Sequence, residues 1–129
     1  MSKKRTVSVI YFDGTFLLEK NMKASDKRLF EMRAGVLKAL GHPIRLGIVE
    51  FLKDGEKCVC DIAGISDCDR TNISKHLSIL AGTGLLQSRK EGLKVYYSLK
   101  CPCILDFMKC VETVIETDFQ EKKEILRKK

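Results

Sequence analysis

No run of eighteen apolar residues occurs in this 129-residue chain, so no transmembrane helix is expected. The start, Met1-Ser2-Lys3-Lys4-Arg5, is basic, but the apolar stretch after it, Val7 to Phe12, is broken by Asp13-Gly14 and lacks a small-residue cleavage site. A signal peptide is therefore not expected, and the cytoplasm is the expected compartment. There is no internal repeat and no low-complexity segment. Catalytic equipment is missing too. We find no nucleophile–base pairing, no phosphate-binding glycine loop and no acid pair in a credible setting, and only two histidines, so no enzyme is expected. No cysteine precedes Cys58 and no histidine follows His76.

What is present is globular in composition, with 44% hydrophobic and 32% charged residues. The net charge of +7 is unevenly placed. Residues 70–100 hold six Lys/Arg against one acid, Glu91, whereas the rest of the chain is close to balanced. A basic patch confined to one stretch points to a polyanion, with nucleic acid first. The plainer alternative is a solvated surface.

β-Favouring residues surround Asp13-Gly14 within residues 6–20, which allows a short hairpin or extended arm. Ser25-Asp26 can cap a helix to about Leu40 with Leu29, Phe30, Val36, Leu37 and Leu40 on one stripe. Pro43 suits the first turn of a second helix, in which Ile44, Ile48, Phe51 and Leu52 repeat at helical spacing. A short third helix is predicted near Cys60–Ile65, then a turn, then a fourth helix from Arg70 to about Ala81 with Ile73, Leu77 and Leu80 inward. Leu85–Lys90 and Leu93–Leu99 flank Glu91-Gly92 as a β-hairpin. A long amphipathic helix follows from about Pro102 to Ile125, with Ile104, Phe107, Met108, Val111, Val114, Ile115 and Phe119 on its stripe.

Two short helices joined by a tight turn and followed by a basic hairpin make a helix-turn-helix with a wing. With Ile73, Leu77 and Leu80 inward, the fourth helix presents Arg70, Thr71, Asn72, Ser74, Lys75 and Ser78. These short polar and cationic side chains suit base edges and phosphates in a major groove. Arg89, Lys90 and Lys94 on the hairpin suit the phosphate backbone. His76 reads as a packing or hydrogen-bonding residue near the helix-turn-helix core, and His42 as a local cap.

Leu37-Lys38-Ala39-Leu40-Gly41-His42-Pro43-Ile44-Arg45-Leu46 resembles the beginning of the ArsR/SmtB repressor fold. Ile73-Ser74-Lys75-His76-Leu77-Ser78-Ile79-Leu80 is similar to its recognition helix, and Gly84-Leu85-Leu86 through Gly92–Leu99 to its wing. The resemblance covers roughly residues 27–118. It implies a mainly α winged helix-turn-helix fold with a β-hairpin wing, a homodimer joined through its first and last helices, and a palindromic double-stranded operator. It also implies repression relieved by an inducer. Residues 1–26 then form an N-terminal arm, 27–118 the winged domain with its dimerisation helices, and 119–129 a charged tail continuing the last helix.

Glu56-Lys57-Cys58-Val59-Cys60-Asp61-Ile62 resembles the metal box of arsenic- and cadmium-sensing members of that family. The resemblance implies that Cys58 and Cys60 bind a thiophilic ion, arsenite or antimonite (As(III) or Sb(III)) in the first place, with cadmium, lead or zinc as alternatives. Thiolates are soft ligands and favour such ions. The other reading is that both cysteines are small buried hydrophobes. Arsenic sensors of the founding type carry a third cysteine three positions after the second, where this chain has Ala63. Cadmium and lead sensors recruit one from the N-terminal arm, which has none here.

The remaining thiols are Cys68 in the predicted turn, Cys101 and Cys103 at the start of the last helix, and Cys110 within it. Cys101 or Cys103 is the expected third ligand, since a helix N-terminus favours thiolate. Cys110, about 10.5 Å along the axis from Cys103, is too far to share its ion. The family's zinc site on the last helix needs histidines that this helix lacks. The rival inducer chemistry is a thiol-based redox or persulfide switch. Members of that kind pair a cysteine on the second helix with one on the last, and the second helix here has none.

Overall fold

A computed structural model describes residues 10–12, 15–17, 23–67 and 69–128. Two compact units divide between Leu37 and Lys38. In the first, β1 (Ile10–Phe12) pairs antiparallel with β2 (Thr15–Leu17), with Tyr11 opposite Phe16. Asp13-Gly14, the turn signal between them, lies outside the described residues. Helix α1 (Ala24–Leu40) starts just before the expected cap, with Asp26 in its first turn where a carboxylate meets the positive end of the helix dipole. Leu29, Phe30, Met32 and Leu37 on this helix are exposed.

The second unit takes in the last turn of α1, where Ala39 and Leu40 are buried. Helix α2 (Pro43–Phe51) begins with Pro43, whose missing N–H has no helical partner to lose. Proline also forces the preceding residue out of the α region, and His42 is extended at φ −146°. A 3-10 turn, Leu52–Asp54, closes α2 and buries Leu52. The two-residue strand β3 (Lys57–Cys58) follows, then α3 (Val59–Ile62) and a second 3-10 turn, Ala63–Ile65.

Helix α4 (Arg70–Gly82) is capped by Asp69, whose Oδ1 accepts the Asn72 N–H at 2.8 Å. Gly84, at φ +83°, turns the chain into the hairpin of β4 (Leu86–Glu91) and β5 (Lys94–Leu99). Gly92 takes φ +61° in the two-residue tip that the Glu91–Lys94 register demands. The sheet is antiparallel throughout, in the order β3-β5-β4. Helix α5 (Ile104–Arg127) ends the described chain.

The core joins α2, α3, α4 and the base of the wing. Ile48, Leu52, Ile62, Ile73, Leu77 and Leu80 are all sealed from solvent. Each such side chain stabilises by about 1.5–3 kcal/mol relative to exposure. This is the winged helix-turn-helix that the periodicities predict. Among the described residues no helix is long and apolar enough to cross a membrane.

Candidate nucleic-acid interface and thiol site

The core stripe fixes which way α4 presents its other side chains. Ile73, Leu77 and Leu80 point inward, and Arg70, Thr71, Asn72, Ser74, Lys75 and Ser78 are exposed. No carboxylate lies on this helix. Six of the expected nucleic-acid contacts therefore share one solvent-facing surface. On the wing, Lys90 and Lys94 are exposed near the tip.

Arg89 differs from the expectation of a free wing cation. Its Nε donates to both Glu56 carboxylate oxygens at 2.9 and 2.8 Å, and Nη2 donates to Glu56 Oε1 at 2.6 Å. Nη1 donates to Glu91 Oε2 at 2.7 Å, and the guanidinium lies 4.6 Å from the centre of the Tyr96 ring. Two carboxylates, Glu56 first, hold Arg89 still more firmly charged and offset that charge. The side chain remains half-exposed, so these pairs add little stability. Their effect is to tie the segment before Cys58 to the wing.

A third cluster sits behind α4. His42 caps α2, its Nδ1 accepting the Ile44 N–H at 3.2 Å. The His42 and His76 rings lie 4.5 Å apart, tilted by 40°. Arg45 places Nη1 3.4 Å from His76 Nδ1, and its Nε donates to the Ala39 carbonyl. Burial first, then the positive potential of His42 and Arg45, lowers the His76 pKa below its ordinary 6.5.

The thiols follow from α3. Cys58 occupies the N-cap of that helix, and its sulfur accepts the Cys60 N–H at 3.2 Å. Cys58 is 6% exposed. Its sulfur is joined to that of Cys60 as a disulfide, with the α-carbons 5.2 Å apart. In this state neither sulfur can ligate as a thiolate, and the pair becomes a ligand only on reduction.

Cys101 and Cys103 were expected to supply a third thiolate to the same centre. Among the described residues no three His, Cys, Asp or Glu side chains gather where an ion could sit. The strand register gives the reason. Cys58 pairs with Tyr96, and β5 runs antiparallel to β3, so the chain moves away from Cys58 beyond that point. Lys100 still hydrogen-bonds to Leu85 across the hairpin at 2.9 Å. Four residues of extended chain put it about 13 Å from the level of Cys58, with Cys101 beyond. Cys101, Cys103 and Cys110 are free and exposed. Helix α5 begins at Ile104, two residues later than expected, because Cys101–Cys103 forms the turn that leads into it. Cys68 lies outside the described residues.

Arg45 and Glu56 stand in motifs singled out in the sequence, but neither was assigned a role there. Their partners lie 31 and 33 positions away, beyond any local pattern.

Comparison with known proteins agrees with this architecture. The profile of the bacterial regulatory proteins of the arsR family matches residues 42–88, from the α2 cap into β4. The chain is 38% identical over 90 residues to a Staphylococcus aureus homologue of the cadmium resistance transcriptional regulatory protein CadC, covering 66% of this chain and 74% of that one. It is 45% identical over 65 residues to the arsenical resistance operon repressor of Escherichia coli, covering 50% of this chain and 56% of that one. A homodimeric winged helix-turn-helix DNA-binding domain from Mycobacterium bovis superposes with a TM-score of 0.67 at 27% identity, covering 80% of this chain and 95% of that domain. With its capped α2, its inward Ile73-Leu77-Leu80 stripe and its basic wing, this chain belongs to the arsR family of bacterial transcriptional regulators, whose members are not enzymes.

Proposed function

We propose that the chain is a homodimeric, cytoplasmic repressor that leaves its operator when a thiophilic metalloid or metal ion binds the reduced Cys58/Cys60 pair. Arsenite or antimonite is the favoured ion, with cadmium, lead and zinc as alternatives. The observation that carries this reading is the position of the pair. The Cys58 sulfur caps α3, the helix that leads into the turn before α4, and it lies within bonding distance of the Cys60 sulfur in that helix. An ion held by both displaces the Cys58 sulfur from its cap on the Cys60 N–H and so disturbs the support of the DNA-reading helix. A ligand with different affinities for the capped and uncapped states shifts the balance between them, as any switch requires. The pair supplies two of the soft donors such an ion needs. Completing a three-sulfur centre takes Cys101 or Cys103 of a second protomer, or an external thiol.

The repressor and metal-sensor parts of this reading draw on the arsenical and cadmium resistance relatives. The DNA contacts are Arg70, Thr71, Asn72, Ser74, Lys75 and Ser78 at base edges and phosphates, with Lys90 and Lys94 along the backbone. Arg89 acts mainly on the wing itself. The dimer uses the first and last helices, whose exposed Leu29, Phe30, Phe107, Val111 and Phe119 would otherwise face water.

A second reading takes its support from the disulfide itself. If joining and parting the two sulfurs is the signal, the protein is a dithiol redox switch. Gel shifts on the gene's own upstream DNA separate the two, with ion added under reducing conditions in one arm and oxidant added without reductant in the other. Release by arsenite or cadmium supports the metal sensor. Release only by oxidant supports the redox switch.

A further inference from the structure

We propose that Arg45, His42 and His76 form a positioning cluster for the DNA-reading helix that holds only while the His76 imidazole is neutral, so that acid weakens operator binding. The inference rests on the reading of α4 as that helix.

Donor and acceptor chemistry assigns the protons. A backbone N–H can only donate, so His42 Nδ1, at 3.2 Å from the Ile44 nitrogen, accepts, and the proton of the neutral ring is on Nε2. A guanidinium likewise only donates, so His76 Nδ1, at 3.4 Å from Arg45 Nη1, accepts as well. Arg45 is fixed from its other side by the carbonyls of Ala39 and Lys38, two of the last of α1. One guanidinium thus links the end of α1 to the middle of α4, one residue from Lys75, while the stacked rings join α4 to the cap of α2.

Protonation of His76 adds a hydrogen to Nδ1 and turns that acceptor into a donor. It also sets a cation against Arg45. The charged groups facing His76 are Arg45 from α2 and His42 from its cap, and neither stabilises an imidazolium. The sign follows. The unfolded chain takes up this proton near the ordinary 6.5 and the folded chain only at lower pH. The cluster's contribution is therefore complete above about 6.5 and is lost as the pH falls from there toward the folded value. A new positive charge on α4 would, acting alone, strengthen attraction to phosphates. The two effects have opposite signs, so the pH profile distinguishes them.

The test is fluorescence anisotropy of the full chain on its own upstream duplex from pH 8 to 5.5 at constant ionic strength. We expect affinity to fall toward acid across this range. His76→Gln and Arg45→Lys should bind more weakly at pH 8 and show a flattened profile. A purely structural role would lower affinity without flattening it. Wild-type affinity that is level or rises toward acid overturns the proposal, as does a His76→Gln profile parallel to wild type. If the variants do not fold, NMR of the wild-type protein decides. Movement of α4 amide signals together with the His76 ring titration supports the cluster, and ring titration without such movement overturns it. No binding to the duplex at pH 8 refutes the repressor reading and the cluster with it, whereas binding with a level profile refutes the cluster alone.

Discussion

Helices α4 and α5 carry the same kind of apolar stripe and meet different fates. In α4, Ile73, Leu77 and Leu80 are 0%, 1% and 0% exposed. In α5, Phe107, Val111, Val114, Ile115 and Phe119 repeat at the same spacing, yet their exposure runs from 41% at Phe107 to 69% at Val114. No residue of this 24-residue helix is buried. Helical periodicity says that a face is to be covered but not by what. Helix α4 finds its cover within the chain, from α2 and β4. Helix α5 follows the wing at the end of the chain and keeps its stripe open, as α1 does with Leu29, Phe30 and Leu37. The difference separates a stripe that is covered within the chain from stripes that the chain leaves open.

Core truncation should break this contrast most forcibly. Leu77→Ala should cost about 2–5 kcal/mol, because the cavity it opens has no way to collapse inside a sealed stripe. Urea unfolding of the dimer at fixed protein concentration measures it. Ile115→Asp should act on assembly instead. Equilibrium sedimentation at micromolar concentration should show a shift from dimer to monomer, with helical circular dichroism largely retained. A variant that stays dimeric removes α5 from the interface.

The reading head itself is tested next. Asn72→Ala and Lys75→Ala should each weaken operator binding by about 1–3 kcal/mol if they read base edges, with little effect on random duplexes. Smaller still is the contrast within the wing. Lys94→Ala should weaken all duplexes alike and lower the salt slope by about 1. Arg89→Ala should leave that slope nearly unchanged, because Glu56 and Glu91 already offset the charge it removes. Isothermal binding at several salt concentrations compares the two. Equal slopes for both variants would return Arg89 to the phosphate backbone.

Much of the fold was legible because it rests on local patterns. Pro43, the four-and-three spacing of Ile73, Leu77 and Leu80, and Gly92 at the hairpin tip each act within a few residues. Strand β3 was not legible, since two residues cannot display an alternation and Lys57-Cys58 is a strand only through its pairing with Tyr96-Tyr97. The start of α5 was placed too early because Pro102, which suits a first helical turn, sits instead in the turn before it. The outward face of α4 could be deduced from its inward one. Arg89 could not be deduced as it stands, because its partner Glu56 lies on another element and sequence charge alone made it look free. The thiol pair was visible from its spacing, but its bonded state was not, since one and the same pattern serves thiolates and a disulfide. The place of Cys101 was not legible either, since it follows from an antiparallel register that carries the chain away from Cys58.

The central claim is that the reduced Cys58/Cys60 pair controls the grip of α4 on DNA. The most direct measurement is a titration of the protein–operator complex with arsenite under reducing conditions, for wild type and for the Cys58→Ser/Cys60→Ser double variant. The account predicts that wild type releases the operator at stoichiometric to low excess ion, while the double variant binds the same DNA and does not release it. Release from the double variant at the same arsenite concentration would contradict it.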